Sequence, residues 1–267
     1  MNWTAIFGIV RRDLTAARRS PAVVVPMVVV PLVVVTVLPA IAYMIRRADT
    51  SALPLGALIG IMPADLYDAA STDPARLALL LVTFVFPTIL LVVPLMVVSV
   101  ISTDSVAGER ERGTLEGVLV SPIGDRELLL AKILSAALPA FVIHLSCSLL
   151  YCLAANLALG SVVDGLVLPT LPWLIIVVWV GPAFTALMLG ASVLISARAK
   201  SVQGAAQLSG VAVLPLIVMV VGQIGGVALL SGLVALNVGA GLWGATALLV
   251  RSGRESMSRH RLAARLP

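Results

Sequence analysis

The sequence is short of charge. Asp, Glu, Lys and Arg together make up 12% of its 267 residues, where a soluble domain carries roughly a quarter, so the chain lacks the polar side chains needed to cover a water-facing surface. Two His and two Cys leave no basis for a zinc, haem or disulfide framework. Cys147 and Cys152 both fall in an apolar run, where a thiol behaves as a small hydrophobe. Aromatic residues reach only 4%, so the apolar mass is Val, Leu, Ala and Ile, the composition of a lipid-facing helix.

What the chain has instead is long uncharged runs. Residues 20–45, 77–103, 133–163, 165–197 and 201–250 hold no Asp, Glu, Lys or Arg. About 20 helical residues cross roughly 30 Å of hydrocarbon, and a membrane-buried backbone demands a helix or a closed barrel. The runs are apolar on every face, unlike the alternating strands of a barrel. The expectation is an all-α polytopic membrane protein with six transmembrane helices, near residues 22–45, 77–101, 133–154, 172–195, 208–223 and 228–250. The last two are placed as a pair because one 50-residue run makes a helix of about 75 Å; the turn is expected at Gly222–Gly226. Residues 3–19 precede the first span, with no cleavage pattern of a signal peptide. Many prolines, among them Pro26, Pro31, Pro39, Pro87, Pro94, Pro139, Pro182 and Pro215, lie in or beside the spans, where they serve bundle packing or act as hinges.

Sorting Lys and Arg by loop, with both termini on one side, puts fifteen on that side and three (Arg46, Arg47 and Arg76) on the other. The positive-inside rule then places both termini in the cytoplasm. The excess basicity is therefore topological and calls for no nucleic acid. The basic cytoplasmic tail, 251–267, either anchors the last helix or touches anionic headgroups of membrane lipid.

Ahead of the first span, Trp3, Ile6, Phe7, Val10, Leu14 and Ala17 share an arc of about 100° on a helix, with the arginines outside it. An N-terminal amphipathic interfacial helix over 3–19 is expected, ended by Ser20-Pro21. In the external segment 46–76, Asp65 and Asp68 form an Asp-x-x-Asp spacing of the kind that holds magnesium against a diphosphate. No second acidic motif accompanies it, and an exposed helix or cap is the expectation.

The most informative stretch follows the second span. On a helix, Glu109, Arg112 and Glu116 share one face and pair along it, while Leu115 and Leu119 lie on another. Gly113 and Gly117 allow bends or close approach, and Ser121-Pro122 reads as a cap with proline at the first helical position. Asp125, Arg126 and Glu127 open a further helix that enters the membrane after Lys132. Such a charged helix-turn-helix is suited to docking a partner.

The run Gly108-Glu-Arg-Glu-Arg-Gly-Thr-Leu-Glu-Gly-Val-Leu-Val-Ser-Pro122, followed by Glu127-Leu-Leu-Leu-Ala-Lys132, resembles the signature of ABC-2 type permeases, the membrane subunits of one class of ABC exporters. The likeness extends to the interfacial helix, the six spans and the second cytoplasmic loop, Arg198-Ala-Lys-Ser-Val-Gln-Gly-Ala-Ala-Gln207. It implies a coupling segment at 104–131, with Glu109, Arg112, Leu115, Glu116, Leu119, Ile123 and Asp125 working against an ABC ATP-binding subunit present in two copies. A second permease copy, as homodimer or heterodimer, and the bacterial cytoplasmic (inner) membrane are implied as well. The short join between spans five and six departs from the re-entrant helices that members often carry there.

The chain itself holds no cofactor. A Walker A loop needs a lysine after its second glycine, and neither Lys132 nor Lys200 follows one. Gly108–Gly113 has the glycine spacing but places threonine at the lysine position. ATP and Mg therefore belong to the partner ATPase, and the chain is no enzyme. With no charge at mid-depth, where a charge marks an ion or proton route, the expected cargo is hydrophobic or amphipathic. His144, Asn156 and Gln207 are the candidate polar residues of the pathway, or of helix packing. The alternatives are a sodium-ion exporter permease, a secondary transporter, a non-transporting membrane scaffold, and an enzyme of isoprenoid diphosphates working through Asp65 and Asp68. Glu116→Gln is expected to weaken ATP-coupled transport while sparing membrane insertion; normal ATP-dependent transport by that variant counts against the coupling role.

Overall fold

Helix α1, Trp3–Arg19, begins where the Asn2 side chain accepts the Ala5 amide and ends at Ser20, ahead of Pro21. Arg18 and Arg19 in its last turn complement the negative end of the helix dipole. The computed structural model describes residues 2–49, 59–60, 62–103, 109, 113, 124–163, 165–198, 203–204, 207, 210, 213–224 and 232–253. The apolar arc of α1 is divided between two neighbours. Ile6, Ile9 and Val10 are buried against Leu128 and Ala131, whereas Trp3 and Phe7 face outward with ring centroids 6.1 Å apart.

Among the described residues, five helices are long and apolar enough to cross a membrane: Val23–Ile45, Asp73–Ser102, Arg126–Leu159, Leu171–Ile195 and Gly232–Arg251. Among the described residues there is no strand, and the chain is an all-α polytopic membrane protein. We number them α2 (Pro21–Ile45), α4 (Asp73–Ser102), α5 (Asp125–Leu159), α6 (Leu171–Ile195) and α8 (Gly232–Gly253). Short α3 (Ala64–Asp68) lies before α4, and α7 (Leu214–Ile224) lies between α6 and α8.

Of the expected fifth span, near 208–223, residues 208, 209, 211 and 212 lie outside the described residues, and α7 is the part that is described. Helix α7 has 11 residues, about 16 Å at 1.5 Å per residue, roughly half the hydrocarbon thickness. Pro215 stands in its first turn, and the expected turn at Gly222–Gly226 lies partly outside the described residues. Helices α4, α5 and α8 run beyond their uncharged stretches. Helix α5 has 35 residues, about 52 Å, so its first turns extend past the hydrocarbon and supply the surface on which α1 lies.

Helix α5 is the hub: α1, α2, α4 and α6 all pack on it, α4 also packs on α6, and α8 packs on α6. Burial follows that order, with α4 the most enclosed span and α2 and α8 the least. Val28, Val29, Leu32 and Val33 of α2 and Leu233 and Leu248 of α8 are exposed, a surface for lipid or a second chain.

Two of the spans contain a matching irregularity. Leu81–Val85 in α4 and Ile176–Val180 in α6 are π-helical, with Phe86 N–H bonded to the Leu81 carbonyl and Gly181 N–H to the Ile176 carbonyl. Proline follows at the same step in each, Pro87 and Pro182. The two sequences, Leu-Val-Thr-Phe-Val-Phe-Pro and Ile-Val-Val-Trp-Val-Gly-Pro, agree in pattern. Proline has no N–H, so the carbonyl five residues before it loses its donor in the widened turn. Those carbonyls belong to Val82 and Val177. Tyr151 Oη donates to the first at 2.9 Å and His144 Nε2 to the second at 2.9 Å. Both donors stand on α5, seven residues apart and therefore on one face. Since a carbonyl only accepts, His144 carries its proton on Nε2.

Tyr151→Phe removes a donor and leaves the Val82 carbonyl unpaired in an apolar setting. It is expected to lower stability by about 0.6–2 kcal/mol, read as an earlier unfolding transition in mixed micelles. An unchanged transition argues against this repair.

Candidate functional site

The charges that the chain does possess converge where α1 crosses the start of α5. Asp13, the one acid among the first 48 residues, receives Lys132 Nζ at 3.0 Å on Oδ2 and Arg12 Nη2 at 2.8 Å on Oδ1. Glu109, from the segment after α4, accepts Lys132 Nζ at 2.9 Å and pairs with Arg12 as well. Ser135 Oγ lies 3.4 Å from Asp13 Oδ2. The Lys132 side chain is 2% exposed, Glu109 8% and Asp13 13%, while Arg12 remains about half exposed at 48%.

Two cations and two carboxylates make this cluster neutral as a unit. That balance lets it leave water, since a buried charge lacking its partner costs several kcal/mol. Burial works against the Arg12 charge, but Asp13 and then Glu109 outweigh it and hold its pKa above the ordinary arginine value. A second tie lies one turn away. Glu127 accepts the amides of Gly124 and Asn2, capping α5 and fixing the start of α1 to it. Three segments far apart in the chain are thereby fastened at one point: α1, residue 109 and the head of α5.

Of the residues singled out from the sequence, Glu109 is in this cluster and Asp125 opens α5. Arg112, Leu115, Glu116, Leu119 and Ile123 lie outside the described residues. Glu109 takes partners from α1 and α5; its expected pairing with Arg112 and Glu116 along its own segment falls on residues outside those described. Sequence reasoning missed Arg12, Asp13 and Lys132 as members. The available signal was the isolation of Asp13 among arginines and the scarcity of lysine, two in the whole chain.

The polar candidates within the spans are spread out. His144 is buried at the α6 π-turn, and a Cβ on Gly181 would lie 2.5 Å from its Nε2, so glycine there makes room for the ring. Asn156 binds the loop between α5 and α6, accepting the amides of Val167 and Leu168 and donating to the Leu168 carbonyl. Gln207 is exposed. A residue that the sequence reading mentioned only in passing, Gln223, is buried and donates to Thr88 Oγ1 at 2.9 Å, joining α7 to α4. At the opposite end of the bundle Asp65 lines a cavity of about 450 Å³ with Pro63, Leu66, Thr83, Val167 and Thr170. Asp68 is not part of that lining. Among the described residues no three His, Cys, Asp or Glu side chains come together as a metal site.

A bundle of long apolar helices, with no strand among the described residues, defines an integral membrane protein. The family described as "ABC-2 family transporter protein" matches residues 7–242, and the chain belongs to it. It is thus the permease subunit of an ABC transporter, a component without catalytic function of its own; such permeases generally pair with ABC ATPase subunits and form dimers. No curated protein matches the chain.

The burial order within the cluster sets an expectation. Lys132→Met leaves two carboxylates with one half-exposed cation and should cost about 3–5 kcal/mol, whereas Arg12→Gln should cost clearly less. Adding Asp13→Asn to Lys132→Met should recover part of the loss, giving a coupling energy in a double-mutant cycle. Equal costs for the two single variants, or strict additivity, contradict this arrangement.

Proposed function

We propose that the chain is the membrane-spanning half of an ATP-driven exporter that moves a hydrophobic or amphipathic cargo outward. The observation that carries the reading is the four-charge cluster, in which residue 109 of the segment resembling the family's coupling element is locked to α1 and α5. In this reading both termini are cytoplasmic, α1 lies along the inner membrane surface, and segment 104–131 rests on the ATPase. Residues near 208–223 form the fifth of six spans, with α7 as its described part. Closure of the ATPase pair on ATP pushes the segment. Because Glu109 is tied to Lys132 and Arg12, the push reaches the head of α5 and the connecting helix together. The hub packing of α5 then passes it to α2, α4 and α6. Hydrophobic cargo is favoured because the described spans carry no unpaired charge at mid-depth to serve as an ion-coupling group.

Tagging the chain and purifying it in mild detergent from cells that also express its neighbouring genes tests this. A stoichiometric ATPase is expected, lost when residues 109–125 are scrambled while membrane insertion persists. A chain that purifies alone as a well-behaved assembly rejects the reading.

A further inference from the structure

A second cavity lies at the same end of the bundle as α1 and has no part in the coupling just described. It also measures about 450 Å³, inside the range of small-molecule pockets, roughly 300–1,000 Å³. Its walls come from three helices that meet at an angle: Leu14 and Ala17 of α1, Met27 of α2, and Val142 and Ile143 of α5, with Ile101 of α4 among the lining residues. Every lining residue is apolar except Arg18. Pro139, inside α5, also lines it; a proline inside a helix removes one backbone bond.

Two features identify the occupant. The first is the setting of the groove. Val28, Leu138 and Val142 border it, and they are 59%, 43% and 62% exposed on helices long enough to span a membrane, so its open side faces hydrocarbon. The second is charge. Arg18 stands at the C-terminal end of α1, exposed, with no ion pair to any described residue. The cluster acids nearest in sequence are engaged by Arg12 and Lys132. A guanidinium at the rim of an apolar groove, at the level where an amphipathic helix meets the membrane, presents a fork that matches a phosphate. We infer that this groove holds one acyl chain of an anionic phospholipid, with the phosphate paired to Arg18. The apolar walls hold the acyl chain by shape and van der Waals contact, since a chain that moves in from the bilayer leaves hydrocarbon and not water. Arginine selects the charged headgroup over a zwitterionic one. The bound lipid fills the space between α1, α2 and α5.

The test measures lipid retention, a readout independent of transport and of any ATPase. The full-length protein is reconstituted in nanodiscs with equal phosphatidylglycerol and phosphatidylcholine, extracted in mild detergent, and analysed by native mass spectrometry. The wild type is expected to keep one phosphatidylglycerol per chain. Arg18→Gln should lose it, and Arg11→Gln, an exposed change on α1 away from the groove, should keep it. Val142→Trp, which fills the groove without touching charge, should also expel the lipid. Equal retention of both lipids, or retention by both Arg18→Gln and Val142→Trp, overturns the inference. A second copy of the chain is the competing occupant. Val142→Cys, with Cys147 and Cys152 replaced by Ala, would then form an interchain disulfide in the bilayer, and its quantitative formation overturns the inference as well.

Discussion

The structure depends on one constraint: within hydrocarbon no water is present to satisfy a backbone group that loses its partner. Prolines lie inside α2, α4, α5 and α6, and each strips a donor from a carbonyl. In the π-turns of α4 and α6 those carbonyls belong to Val82 and Val177. Both are served by side chains of α5, Tyr151 and His144, so that helix is committed to the centre. Donors seven residues apart stand about 10.5 Å apart along the axis on one face. That fixes the relative heights at which α4 and α6 sit, and the remaining helices fill in around the three.

The head of α5 meets the opposite demand. Charges there have been withdrawn from water and must be balanced. Lys132 is buried, and Asp13 and Glu109 come from different segments to pair with it. One helix therefore carries both the repair of the apolar interior and the fastening of the polar end. For a machine in which a push at residue 109 has to reach the spans, the two roles form a continuous rigid element in place of a chain of loops.

Much of this was readable from residue order, because spanning a membrane is a demand on composition. The charge-free runs located α2, α4, α5, α6 and α8, and Ser20-Pro21 marked the end of α1. What stayed hidden has physical causes. Helical spacing along 109–116 speaks only of partners within the segment, whereas Glu109 also finds Arg12, 97 positions away; periodicity carries no information at that range. The prolines were considered singly, and so the repeated pattern ending in Pro87 and Pro182 passed unnoticed. Its meaning lies in the carbonyls that it exposes, and in Tyr151 and His144, which no local rule ties to it.

The contact between His144 and Gly181 also constrains how this sequence changes over time. A methyl group at 181 would intrude on the imidazole, and loss of the imidazole would strand the Val177 carbonyl for as long as residue 182 is proline. Substitutions here are thus tolerated only in sequence. Proline must yield first and restore a donor to the helix; the histidine is then dispensable; only afterwards does the glycine become free to enlarge. The route is open in that direction and closed in the others, so positions 144, 181 and 182 drift as a single inherited unit.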